Sequence, residues 1–123
     1  MTKIPNYQNG DETYSSCVAA GDFIYLAHHA GGFDKNGIRH QMRAAFEGMK
    51  ATLAKAGATM DDMAQIHLYL KGLNDFDGAV EVFSEYFKPG RFPARMTTTS
   101  RFLDNACLCM ADGVAYKERS AYA

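Results

Sequence analysis

Between residues 38 and 56, apolar side chains return every three or four positions. Ile38, Met42, Ala45, Phe46, Met49 and Leu53 share one face of a predicted helix. Gly57 follows Lys55 and Ala56 as its C-terminal stop. A second helical stripe, Phe76, Val80, Phe83 and Phe87, starts after Asn74, the predicted N-cap. Asp75 and Asp77 then sit in the first turn beside the positive helix end, and Lys88-Pro89-Gly90 ends the helix. Elsewhere the pattern shortens to strands. Residues 13–20 and 23–28, joined at Gly21-Asp22, read as an antiparallel hairpin. Residues 64–71 place Ile66, Leu68 and Leu70 on one face and His67, Tyr69 and Lys71 on the other, after a short polar turn at Thr59-Met60-Asp61-Asp62.

Residues 92–102 form a fourth strand. Pro93 lacks an N–H for the ladder and suits its start, and Thr97, Thr98 and Thr99 are β-branched. After a turn at Leu103-Asp104-Asn105, residues 106–115 make a fifth strand. Residues 1–12 read as polar and irregular, with a turn at Asn9-Gly10-Asp11, and residues 29–37 as a glycine-rich loop of the kind that borders sites. The predicted order is ββαβαββ. Two amphipathic helices need a sheet face to cover, so an α+β fold with both helices on one side is expected. The opposite face, carrying Leu and Met, is expected to be buried against another subunit.

At 123 residues with a formal net charge of -1, the chain is one domain, 1–123, with no basic run to favour nucleic acid as a partner. No stretch approaches the roughly 20 apolar residues of a membrane span, and Met1-Thr2-Lys3-Ile4-Pro5-Asn6 does not resemble a signal peptide. Cys17, Cys107 and Cys109 lack disulfide or zinc spacing, and His28, His29, His40 and His67 match no zinc site. No metal or cofactor is therefore expected, and reduced thiols point to the cytoplasm.

Candidate chemistry centres on Arg95. Alternation puts Arg95, Thr97 and Thr99 on one strand face, where a planar guanidinium followed by hydroxyls suits a carboxylate or phosphate. The other reading is an ordinary solvated or ion-paired arginine. Cys109 reads either as a nucleophilic thiol, if a cation such as Arg95 lowers its pKa, or, with Cys107, as a small apolar sheet residue. His28 and His29 point opposite ways in a strand. Either one faces a cleft as a general base, or both mark a polar strand end. Ser15 and Ser16 have no triad pattern.

Several segments together resemble the RidA/YjgF family of reactive-imine deaminases. They are Tyr14; Gly21-Asp22-Phe23-Ile24-Tyr25-Leu26; Gly57-Ala58-Thr59-Met60-Asp61-Asp62; Tyr69-Leu70; Phe76; Glu81-Val82-Phe83 with Tyr86-Phe87; and Phe92-Pro93-Ala94-Arg95. The resemblance implies a chorismate-mutase-like subunit in a homotrimer, its sheets lining a barrel, with ligand clefts between subunits. It makes Arg95 the carboxylate ligand and puts Tyr14 at the same cleft. Ala27 and His28 stand where the family's strand-two Ser-Gly pair flanks the ligand, and His29 follows them. Phe83, Tyr86, Phe87 and Thr97 complete the expected lining.

The best-known branch of that family carries a glutamate on its last strand that positions the water hydrolysing a 2-imino acid. Aligned on Arg101-Phe102, that position is Cys109; anchored on Arg95, it is Met110. Val80 stands where that branch has Asn. The implied function is action on a small carboxylate-bearing imine or enamine, with Arg95, Cys109 and His28 as catalytic candidates. The alternative is a trimer that binds a small carboxylate without turnover. A nuclease or translation-inhibitor role, which some relatives' labels suggest, is disfavoured by the balanced charge. Without the glutamate, weak or no turnover of the usual imino acids is expected.

Overall fold

The stripe at residues 38–56 becomes helix α1 (Ile38–Lys55), which buries Met42, Ala45, Phe46, Met49 and Leu53. Gly57 closes it with a φ of 81° and an N–H donated to the Ala54 carbonyl at 3.1 Å. The computed structural model describes residues 1–6 and 10–118. The expected turn at Asn9-Gly10-Asp11 therefore lies partly outside the described residues.

Helix α2 (Phe76–Tyr86) is entered through a short 3₁₀ turn, Leu73–Asp75. Asp75, not the expected Asn74, stands at its N-cap, because that extra turn moves the helix start past Asn74. Its buried stripe is Gly78, Ala79, Val82 and Phe83, with Phe87 just beyond. This is rotated from the predicted one, and Phe76 and Val80 fall on its flank. The helices approach closely at Gly78, where a Cβ would sit 2.7 Å from the Ile38 side chain. Phe46 is the hub between them, meeting Phe83 and Tyr86 edge-to-face with ring centroids 5.0 and 5.1 Å away.

The helices cover one face of a mixed sheet built from β1 (Thr2–Pro5), β2 (Ser15–Ala20), β3 (Phe23–His29), β4 (Met63–Leu70), β5 (Ala94–Thr99) and β6 (Cys109–Tyr116). Its order is β1-β2-β3-β6-β4-β5, antiparallel except for the β4–β5 pair. The α+β class is as expected, but the order is βββαβαββ. The segment expected to be irregular contributes β1, which pairs with β2 from Thr2 opposite Ala19 to Ile4 opposite Cys17. It needs no apolar alternation, because backbone pairing along an open edge holds it.

Ile66, Leu68 and Leu70 face the helices as predicted, together with Cys17, Ile24, Leu26, Cys109 and Ala111. The outer face carries Phe23, Tyr25, Met96, Met110 and Tyr116. Leucine is not part of it, since the strand leucines all turn inward. Phe23 and Tyr25 are 45% and 50% exposed, a broad aromatic surface for a single chain. No helix among the described residues is long and apolar enough to cross a membrane.

Two bulges break the ladder beside β6. In β3, Leu26 pairs with Gly113 and His29 with Ala111, so Ala27 and His28 together oppose Asp112. In β4, Met63 pairs with Ala115 and Gln65 with Val114. Gly113 accommodates that second bulge, because a Cβ there would run into the Gln65 carbonyl.

Candidate functional site

Register decides what each strand offers. Arg95 pairs with Ile66, so it lies on the helix side of β5, the sheet's edge strand, with Thr97 beyond it on the same face. Every β5 residue is exposed. The rotated face of α2 gives the guanidinium its bed: Arg95 Cζ lies 5.6 Å from the Phe76 ring centroid and 5.3 Å from that of Phe83. Such stacking contributes roughly 0.5–1 kcal/mol at an exposed site and presents the cation in one orientation. Among the described residues, no carboxylate pairs with it. Val80, Ser84, Phe92 and Pro93 complete an open groove around it. Phe87 is buried behind this groove, against Phe46 and Phe92. Tyr86 points elsewhere. Its hydroxyl donates to Glu47 at 2.7 Å, and burial with that carboxylate pushes its pKa up to about 12.

A second hollow of about 200 Å³ lies on the other side of the sheet, lined by Tyr14, Ser16, His28, Phe33 and Met110 among others. The β3 bulge makes it. It turns His28 outward, where its ring stacks on Tyr14 with centroids 5.5 Å apart. The same bulge turns His29 inward. Its Nδ1 lies 2.7 Å from the Ala27 carbonyl and its Nε2 lies 2.8 Å from the Thr52 hydroxyl of α1. A carbonyl can only accept, so Nδ1 carries the proton and Nε2 accepts from Thr52. Burial lowers the His29 pKa, which keeps the ring neutral. His29 lines the back of the hollow but is almost fully buried, and His28 is the exposed histidine there. Ala27 contributes its carbonyl to holding His29.

Parity along β6 separates Cys109 from Met110. Cys109 pairs with Leu70, is fully buried in the core, and burial pushes its thiol up to about 12. A thiol so placed stays protonated and has no access to a ligand. Arg95 lies four residues away along the ladder and does not lower it. The Cys107 thiol donates to the Cys109 carbonyl at 3.2 Å and is buried as well. Both fit the small apolar reading. Met110, the alternative register, faces the hollow.

Two residues were not singled out from the sequence. Gln41, a polar residue outside the predicted apolar stripe of α1, is buried. It donates to the carbonyls of Lys35 and Ala106 and accepts the Leu108 N–H at 2.8 Å, tying the glycine-rich loop to the β5–β6 connection. Asp112 projects from the outer face beside the hollow. Its Oδ2 accepts the Tyr69 hydroxyl at 2.9 Å, and its Oδ1 lies 3.9 Å from His67 Nδ1. It shares strand parity with Met110, which was the available clue.

The Arg95 groove and the Tyr14–His28 hollow do not meet within one chain. They share no lining residue and lie on opposite sheet faces. Met110 on β6, the hollow's nearest wall, is two strand spacings, about 10 Å, from β5 and on the opposite face, and β2 with the far wall is about 19 Å away.

The family profile described as Endoribonuclease L-PSP matches residues 8–113. A RutC family protein of Pyrococcus abyssi is 36% identical over 111 residues, covering 85% of this chain and 87% of the relative. A protein of Dermatophagoides farinae named 2-iminobutanoate/2-iminopropanoate deaminase is 32% identical over 90 residues, covering 68% of this chain and 70% of the relative. Among solved structures, a yjgF-family protein of Streptococcus pyogenes superposes with a TM-score of 0.82 at 30% identity, covering 97% of this chain and all of the other. With the profile spanning most of the sequence, a relative 36% identical over 85% of the chain and a yjgF-family structure superposing over nearly all of it, this chain belongs to the RidA/YjgF family.

Proposed function

We propose that the protein hydrolyses small carboxylate-bearing imines in clefts built between copies of the chain. Arg95 of one copy holds the carboxylate opposite the Tyr14–His28 wall of another. One observation carries this reading. Arg95 is laid over two rings with no carboxylate partner among the described residues, and the hollow with His28 and Met110 opens on the opposite sheet face, so each chain presents two half-sites. The aromatic outer face supplies the surface on which copies meet. The deaminase named among the relatives supports the substrate class. Imine hydrolysis consumes only water and calls for no metal or redox cofactor. We assign the reaction to the cytoplasm, where the three buried thiols stay reduced.

A homotrimer is expected, with light scattering giving three times the 13.6 kDa chain mass at micromolar concentration. A monomer would leave the half-sites unjoined and the proposal without a cleft. Arg95→Ala is expected to raise KM for 2-iminopropanoate, followed by ammonia release, about 10- to 150-fold. That range corresponds to the roughly 1.5–3 kcal/mol of a charge-assisted contact. Unchanged KM in the variant would remove Arg95 from the site.

The second reading, a carboxylate-binding trimer without turnover, is favoured by the two positions at which the glutamate was expected, since Cys109 is buried in the core and Met110, which faces the hollow, is a thioether. Calorimetric binding of 2-oxobutanoate with no ammonia release from the imine would decide for it.

A further inference from the structure

We infer that Asp112 activates the hydrolytic water in this chain, an inference that rests on the imine-hydrolysis reading above. Three observations converge on it. The β3 bulge sets Ala27 and His28 directly opposite Asp112, so a side chain of the hollow and this carboxylate meet across one ladder step. His28, Tyr69, Arg101, Met110 and Asp112 line one continuous depression, in which Asp112 is the carboxylate. The two carboxylate oxygens also differ. Tyr69 holds Oδ2 at 2.9 Å, while Oδ1 has only His67 Nδ1 nearby, at 3.9 Å, among the described residues.

A tyrosine that fixes one oxygen orients the other, as a water-activating carboxylate requires. A purely structural acid has little to recommend it here. Aspartate is a poor strand former, and along the outer face of β6 this one stands between Met110 and Val114. From the neighbouring elements, the titratable groups facing it are His28 on β3, His67 and Tyr69 on β4, and Arg101 after β5.

The step balances without further reactants. The water oxygen bonds to the imine carbon as the C=N π pair moves to nitrogen. Oδ1 takes one water proton and delivers it to that nitrogen, giving the carbinolamine. The carbon–nitrogen bond then breaks while the hydroxyl proton passes through the same oxygen to the departing nitrogen. Ammonia leaves, and the carbonyl of the 2-keto acid remains.

The test uses the full chain in its assembled state. Asp112→Asn keeps the shape and the acceptor for Tyr69 but removes the base. It is expected to lower kcat for 2-iminopropanoate by about 10²-fold or more, with calorimetric affinity for 2-oxobutanoate within twofold of wild type. Asp112→Glu is expected to recover part of that loss. Tyr69→Phe, which frees Oδ2, is expected to lower kcat at unchanged KM, and it decides the matter if Asp112→Asn fails to fold. Wild-type kcat in the folded Asp112→Asn protein, with Arg95→Ala still impaired, overturns the role of Asp112 and leaves the deaminase reading standing. Binding of 2-oxobutanoate by a wild type that releases no ammonia overturns both.

Discussion

Cys109→Glu is expected to unfold the subunit or to lower its stability by about 4 kcal/mol or more, whereas Met110→Glu, one residue along, should change it by less than about 1 kcal/mol. Cys109 has no exposed surface and belongs to the core cluster with Leu70 and Ala111. A glutamate there adds volume to a close-packed interior, which typically costs 1–3 kcal/mol, and places a carboxyl where no donor awaits it. Removing one partner of a buried charged pair, a comparable insult, costs about 3–5 kcal/mol. With total stabilities of about 5–15 kcal/mol, little margin remains. Met110 is only half-buried and faces the hollow, so a glutamate at that position keeps its charge near solvent. Urea-denaturation midpoints of the two variants check the contrast. Ammonia release adds a functional arm, in which Met110→Glu raises the rate. A Cys109→Glu protein as stable as wild type and more active would place Cys109 on the ligand side after all.

Phe46→Ala is expected to cost about 3–5 kcal/mol, the usual range for emptying a fully buried aromatic site. Phe46 is completely buried and touches three rings, Phe83, Tyr86 and Phe87. The loss reaches the ligand groove, because Phe83 is also the ring beneath Arg95. A Phe83 free to retreat into the cavity no longer fixes the guanidinium, so carboxylate affinity should fall several-fold in any Phe46→Ala protein that still folds. Thermal midpoint and calorimetric titration with 2-oxobutanoate, done on the same sample, separate the two effects. Unchanged affinity alongside a lowered midpoint would show that Arg95 keeps its place without support from behind.

Helix α1, the existence of β3 and the inward face of β4 were legible, the first and last because their periodicity coincides with burial. Ile66, Leu68 and Leu70 alternate with His67 and Tyr69, and the structure uses that alternation unchanged. β1 was not legible, since Thr2–Pro5 is held by its neighbour's backbone and not by its own pattern. The phase of α2 was missed because Phe76 and Val80 look like core residues yet serve the groove, leaving the small Gly78 and Ala79 to pack against α1. That Arg95 and Thr97 share a strand face after Pro93 followed from simple alternation, and that this face turns toward α2 came only from the β4–β5 register. The assignment of His28 and His29 did not follow from alternation, because a bulge shifts parity by one and carries no residue signature here. The same limit applied to Cys109 and Met110, for which two alignments one residue apart were equally open until the register of β6 separated them. Asp112 escaped notice because one acid in a strand says nothing until its neighbours on β3 and β4 are known.

β6 is the last of the described strands in chain order, yet it sits at the centre of the sheet between β3 and β4. As the chain leaves the ribosome, β1 to β3 and then β4 to β5 emerge as two partial sheets with no ladder joining them. Each exposes an unpaired edge until residues 109–116 arrive to bridge both at once. Synthesis at about 5–20 residues per second makes that a wait of seconds, during which α1 and α2 are the main tether between the halves. Pairings this distant along the chain form slowly even in a complete polypeptide. Chains stalled before Cys109 would therefore display two sticky sheet edges and neither hollow nor carboxylate, and chaperone capture should be strongest over that interval.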